Sequence, residues 1–308
     1  MSNTKSLHTM FTHVVLLSVT FFWSFNNIVF KIAFASISAP MFNLLRLLIA
    51  FPFMIYIAFF LPRHVPFNKR DLFFLTLLGI GGFGVFQLLF PIGIDLTSPS
   101  IGGILMATMP IHVVVLSTMF KLEKITPAII IGIIFTIIGL SLITFFSRVP
   151  NQQFETSFTG IILVVVAELG FAINTTFIKG YLKTYPPLQL TGFVMAVSVI
   201  VFCSVNVKTI IEVTHTPISF KIFLLASYSG LIALLGSNVL WNRAVGYLGS
   251  AKTSVYANVP PVFVLFLSMI FFKDFPHPIA LLGSAIILMG VYVVQFSDKK
   301  KVSRLRQP

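Results

Sequence analysis

Apolar residues run along this chain in ten blocks: 11–34, 40–61, 72–93, 99–120, 126–147, 159–180, 187–206, 220–241, 253–272 and 277–297. Each is about as long as the 20 or so residues that a helix needs to cross a hydrocarbon layer. In lipid a segment must satisfy its own backbone N–H and C=O groups, which selects helices. The pattern predicts an all-α polytopic membrane protein with ten spans, numbered here in chain order. The links are short and punctuated by Pro, Gly and Asn. Even the longest, 148–158 and 207–219, leave no room for a soluble domain.

Composition agrees: 57% of residues are hydrophobic and 9% charged, and the mean hydropathy is +0.99, whereas soluble domains carry about 25% charged residues. The net charge of +13 raises the question of nucleic acid, but the cations sit in the links and in the tail Asp298–Pro308. They read as an orientation signal, with no nucleic-acid partner. Placing the N-terminus inside puts fifteen Lys and Arg on that side and five on the other, with Arg46 within a span; without the tail the ratio is ten to five. Both termini are therefore expected in the cytoplasm. The first block has no small-residue cleavage signature and is expected to stay as a span. Cys203 is the single cysteine, so an intramolecular disulfide is excluded.

The polar positions repeat. Trp23-Ser-Phe-Asn-Asn-Ile-Val-Phe-Lys31 returns 148 positions later as Phe171-Ala-Ile-Asn-Thr-Thr-Phe-Ile-Lys179. With a shift of 151, Gly79 meets Gly230, Gln87 meets Asn238, Pro110 meets Pro261 and Glu123 meets Asp274; Gly132 and Gly139 meet Gly283 and Gly290. The chain therefore divides into five-span repeats over 11–147 and 159–297, followed by the basic tail 298–308. An odd number of spans turns the second copy upside down, as in secondary transporters that bind substrate near the midplane.

These residues resemble the EamA-domain family of the drug/metabolite transporter superfamily. The resemblance rests on the W-S-F-N-N…K opening, Pro40 followed by Arg46, and a proline-bearing span 4 ending in Phe120-Lys-Leu-Glu-Lys-Ile-Thr126. The Gly-rich span 5 and the second-half echo Phe271-Phe-Lys-Asp274, with Asp in place of the more usual Glu, complete it. It implies ten helices, a central cavity between two five-helix halves, and alternating access. Relatives carry amino acids, nucleotide sugars, phosphorylated sugars, purines and drugs, so the resemblance leaves the cargo open.

Residues that could carry chemistry stand out because polar groups inside a bilayer are costly. Glu168 is the only acidic residue well inside a span. Helical spacing puts Glu168, Ala172, Thr175 and Lys179 on one stripe of span 6 and Thr20, Ser24, Asn27 and Lys31 on the matching stripe of span 1. Both stripes are expected to face protein or a wet cavity. Glu168 is a substrate and coupling candidate, with a buried interhelical carboxyl as the structural alternative. Trp23, Asn26, Asn27, Arg46, Gln87, Asn174, Asn238, Trp241 and Tyr256 are further substrate-binding candidates. Asn26 and Asn174 serve equally as interhelical glue, and Lys31 and Lys179 are expected to snorkel. Arg46, roughly 9 Å into span 2, either snorkels or meets a carboxylate or phosphate. Pro110, Pro260 and Pro261 should bend spans 4 and 9 and are gating candidates. The Gly132/Gly139 and Gly283/Gly290 patterns point to close packing within a half or at a homodimer contact. His112 and Glu123 are weaker candidates, Glu123 as a helix cap or partner of a neighbouring Lys.

No G-x-x-x-x-G-K-[ST] loop, H-E-x-x-H or Cys/His cluster occurs, so neither an ATPase, a metal site nor a cofactor is expected. The reading is a non-enzymatic carrier of a small molecule in the inner membrane, for which the family resemblance alone suggests export of amino acids or related compounds. A channel or sensor on the same fold, or a drug or nucleotide-sugar carrier, is the alternative.

Overall fold

A computed structural model describes residues 2–97, 105–146, 157–273 and 275–304. The start of span 4, most of the link after span 5, and Asp274 lie outside these. The described residues contain no strand. Nine helices among them are long and apolar enough to cross a membrane, and a tenth, Met109–Met119, is shorter. The ten apolar blocks thus become ten helices, which we number α1–α10.

Helix α1 is Ser2–Phe34, α2 Ala39–Phe59, α4 Met109–Met119, α5 Pro127–Phe146, α6 Phe158–Tyr181, α7 Pro187–Val205 and α10 Pro278–Arg304. Two helices change gauge in mid-course. α3 runs from Lys69–Leu78 through a π-helical stretch, Gly79–Gly84, into Val85–Asp95. α8 runs from Phe220–Ser227 through Tyr228–Gly236, again π-helical, into Ser237–Leu248. These stretches overlap under the 151-residue shift, so the repeat preserves the irregularity, and π segments recur at functional sites. α9 is broken: Ser250–Ser254, a 3-10 turn Val255–Asn258, then Pro260–Phe272. A short helix, Val207–His215, lies in the longest described link.

Local chemistry sets the boundaries. Asn68 and Ser157 cap α3 and α6 by accepting from Asp71 N at 2.8 Å and Gly160 N at 2.9 Å, and each satisfies a donor that the helix start leaves open. Pro40 and Pro187 stand in the first turns of α2 and α7, where a missing N–H costs nothing.

The two repeats interlock. The largest packing interfaces join helices of opposite halves: α5 with α10, α3 with α6, α2 with α7, and α1 with α8 and α9. Inversion of the second copy lets each helix face meet its complement in the other copy. The glycine patterns make this plain. A Cβ on Gly139 would collide with the Gly283 carbonyl, and one on Gly290 would lie 2.6 Å from the Gly132 carbonyl. Those glycines pack α5 on α10, between halves, which corrects the expectation of contacts within a half or between copies of the chain. Gly79 and Gly230 act alike. Gly79 lies against Val197 of α7, and Gly230 against the Arg46 carbonyl of α2.

Candidate substrate and coupling site

The stripe of α6 predicted from spacing is buried and polar. Glu168 is 4% exposed, and Ala172 and Thr175 are fully buried below it. Among the described residues no hydrogen bond or ion pair reaches the Glu168 carboxyl. One turn and more away, Thr175 Oγ1 accepts from Trp241 Nε1 at 3.3 Å, and the Thr175 carbonyl accepts from Ser250 Oγ at 2.9 Å. The helix is thus tied to α8 and α9 at Thr175 and left unmatched at Glu168.

An aromatic cluster stands where the halves meet. Trp23 and Trp241 lie 5.1 Å apart between ring centroids, and Phe171 is 6.1 Å from each. Phe86 of α3 extends the cluster, 5.2 Å from Phe171. Trp23 and Phe171 are equivalent positions under the 148-residue shift, so the cluster grows around the relation between the repeats. Trp23 Nε1 donates to the Ala233 carbonyl in the π-helical stretch of α8 at 3.1 Å.

At the end of the bundle predicted to be cytoplasmic, α6 and α9 converge on Glu123, in the α4–α5 link. Its Oε1 receives Lys179 Nζ and the Ser250 N–H, each at 2.6 Å, and its Oε2 receives the Ala251 N–H at 3.2 Å. Lys179 therefore does not reach freely into the interface as expected: its side chain is 31% exposed and paired with Glu123, at 12%. The partner is 56 residues away in the sequence, which helical spacing could not reveal.

The other candidates separate into distinct places. On α1, Thr20 and Ser24 are buried, and Ser24 Oγ donates to the Pro260 carbonyl at the break in α9 at 2.9 Å. Asn27 and Lys31, on the same predicted stripe, are exposed. The stripe is therefore enclosed only along its first half, because α9 covers α1 at Ser24. Asn174 faces α3, with its Cβ 3.1 Å from where a Cβ on Gly82 would stand. Asn174 Oδ1, Asn26 Oδ1 and Gln87 Nε2 are buried without partners. Asn238 Nδ2 is turned back onto the Leu234 carbonyl at 2.8 Å. Tyr256 Oη meets His13 Nδ1 at 2.9 Å, tying α9 to α1, and His112 Nδ1 has no partner. Pro110 stands in the first turn of α4, with the turn Ala107–Thr108 before it, and Pro260 and Pro261 open the last segment of α9. Arg46 is 8% exposed, so it does not snorkel; it lies in a pocket of α2, α1 and α8, bonded to none of the other candidates.

Sequence reasoning assigned no role to Phe171, Ser250, His13, Asn43 or Ser229. The 148-residue register already set Phe171 opposite Trp23, and Asn43 lies three residues from Arg46, a helix-face neighbour. The remainder depend on contacts between helices far apart in sequence.

Comparisons with known proteins agree on the class. The EamA-like transporter family matches residues 10–145 and again 158–296. An uncharacterized transporter of Archaeoglobus fulgidus is 27% identical over 237 residues, covering 73% of this chain and 78% of its own. A probable terminal-alkyne amino-acid exporter of Streptantibioticus cattleyicolor is 23% identical, covering 78% of this chain and 77% of its own. One solved crystal structure superposes with a TM-score of 0.75 at 15% identity, over 96% of this chain and 99% of that one, a likeness of fold.

Proposed function

The chain belongs to the EamA-like transporter family, and on that premise we propose a secondary transporter that exports an amino acid or related amphipathic compound by alternating access. The observation that carries this reading is Glu168, a buried carboxyl without a protein partner on the stripe that Thr175 and Lys179 share. An ionisable group at that depth is unfavourable unless something meets it. In this reading Glu168 receives the substrate's ammonium group or a proton, one at a time, so the two compete for one charge. The rings of Trp23, Phe171 and Trp241 attract the same ammonium group and pack against an apolar side chain. The unmatched Gln87 amide, with Asn238 in the equivalent place, orients the rest of the molecule.

The packing supports a choice of moving bodies. α6 associates with α3 and α4, and α1 with α8 and α9; we take these two three-helix groups, rather than the sequence repeats, as the units that rock. The broken α9 and the start of α4, with Pro260, Pro261 and Pro110, serve as hinges between them. With both termini in the cytoplasm of a cell bounded by an inner membrane, Glu123 and Lys179 close the cytoplasmic side, and each cycle must part them.

The test is flux in proteoliposomes preloaded with single amino acids. A saturable, trans-stimulated flux is expected, reduced about 100-fold or more in Glu168→Gln, as when one partner of a buried charge pair is lost. Its pH dependence should vanish with the carboxyl. Ohmic conductance in place of saturation, or unchanged flux in the variant, would overturn the reading.

A further inference from the structure

We propose that Arg46, Asn43 and Ser229 form a binding site for a compact monoanion, either a free halide or the carboxylate of a transported molecule. The site is separate from Glu168, and its test needs no assumption about transport. Arg46 Nε donates to Asn43 Oδ1 at 2.7 Å, and Nη1 reaches Ser229 Oγ at 3.4 Å. The guanidinium carbon lies 5.0 Å from the centre of the Phe30 ring. Among the described residues no carboxylate pairs with it. All three polar residues are more than nine-tenths buried, Arg46 at 8%, Asn43 at 6% and Ser229 at 0% exposed.

Donors outnumber acceptors around this guanidinium. Arg46 carries five N–H groups and no acceptor, and neighbouring side chains take up only Nε and Nη1. The bond from Nε fixes the Asn43 amide, since turning it over would set N–H against N–H. Asn43 Nδ2 is therefore a donor by necessity, and it has no acceptor. Ser229 accepts from Arg46, which leaves its own hydroxyl hydrogen to give. Three kinds of donor and one unbalanced positive charge are thus carried by buried side chains that bond one another. Water could accept the hydrogen bonds but would leave the charge unanswered; an anion answers both.

The surroundings limit its size. The Phe30 ring covers one side of the guanidinium, and Asn43 and Ser229 occupy its Nε and Nη1 edges. This favours chloride or a carboxylate end, flat against the guanidinium edge, over a phosphate with its larger set of oxygens. The site joins α2 to α8 at Ser229, within the π-helical stretch Tyr228–Gly236, so an anion there also braces that joint.

The experiment is thermal unfolding of the full-length protein in neutral detergent, titrated with sodium chloride or sodium acetate and balanced to constant ionic strength with sodium isethionate. A saturable rise in the midpoint of several degrees is expected in the wild type and none in Arg46→Gln. Asn43→Ala and Ser229→Ala should keep the rise but move half-saturation up by about tenfold, the worth of one hydrogen bond to a charge. These two variants also carry the test if Arg46→Gln does not fold. A response to chloride alone identifies a resident halide. A response to acetate, with chloride competing, identifies a carboxylate site. Equal salt responses in the wild type and all three variants would overturn the proposal.

Discussion

Glu123 and Glu168 are both withdrawn from water, yet their surroundings are opposite. Glu123 is held by one ammonium and two backbone N–H groups, all from the second half of the chain. Glu168, deeper in the bundle at 4% exposure, has no protein partner among the described residues. A carboxylate that is fully met joins parts of the fold. One that is unmet contributes nothing to stability and leaves its charge for a ligand. Burial alone therefore does not distinguish a structural acid from a functional one; the inventory of its partners does.

Unfolding measurements should separate the two most sharply. Glu123→Ala strands the Lys179 ammonium and the N–H groups of two residues that are themselves at most 1% exposed, Ser250 and Ala251. With buried donors left unpaired, the loss should be about 3 kcal/mol. Glu168→Gln replaces a carboxyl that no protein group meets, and its stability should stay within about 0.5 kcal/mol of the wild type or rise. Denaturation midpoints in detergent compare them directly. If Glu168→Gln proved the more damaging, Glu168 would be a structural group and the contrast would fail.

Gly249→Ala probes the Glu123 side of the comparison without touching a charge. Gly249 has φ +90° and ψ 160°, a region nearly closed to other residues, and a Cβ there would stand 3.0 Å from both Glu123 oxygens. The substitution should cost about 2 kcal/mol through backbone strain. It should also displace the N–H groups of Ser250 and Ala251 from the carboxylate. Hydrogen exchange at Ser250 and Ala251 would report that displacement; unchanged protection would show the turn to be independent of Glu123.

Much of this architecture is legible in the order of residues. Ten apolar blocks, the offset of 148 and then 151, and an odd span count predict inverted five-helix repeats. The stripe of Glu168 and Thr175 follows from helical spacing. What spacing cannot give is the helix that a face meets. Gly132 and Gly139 announce close packing, but only the folded chain sets them against Gly290 and Gly283. Lys179 at the end of its helix looks like a snorkelling residue until Glu123 is placed beside it. Arg46 likewise needed Ser229, 183 residues away, before its lack of a counter-charge could be seen. Asn27 is exposed because its polar stripe continues in sequence past the point where α9 covers α1, which spacing alone does not reveal.

Among the substitutions around Glu123 the smallest effect is expected of Lys179→Gln, and it decides how the Glu123 tie is divided. The Lys179 side chain is 31% exposed, so water and salt already screen its charge, and its loss should cost about 1 kcal/mol or less. The Ser250 and Ala251 N–H groups would go on holding the carboxylate, which is why this variant should be milder than Glu123→Ala. In the Glu123→Ala background the same substitution should cost almost nothing, because the partner is already gone. That double-mutant cycle, run at low and high salt, isolates the ion pair from the backbone contacts. The coupling should shrink as salt rises, since one side of the pair faces solvent. If Lys179→Gln cost as much as Glu123→Ala, the ion pair would dominate. The amides of Ser250 and Ala251 would then be secondary contacts, and opening this face would require breaking a charge pair rather than releasing a backbone clasp.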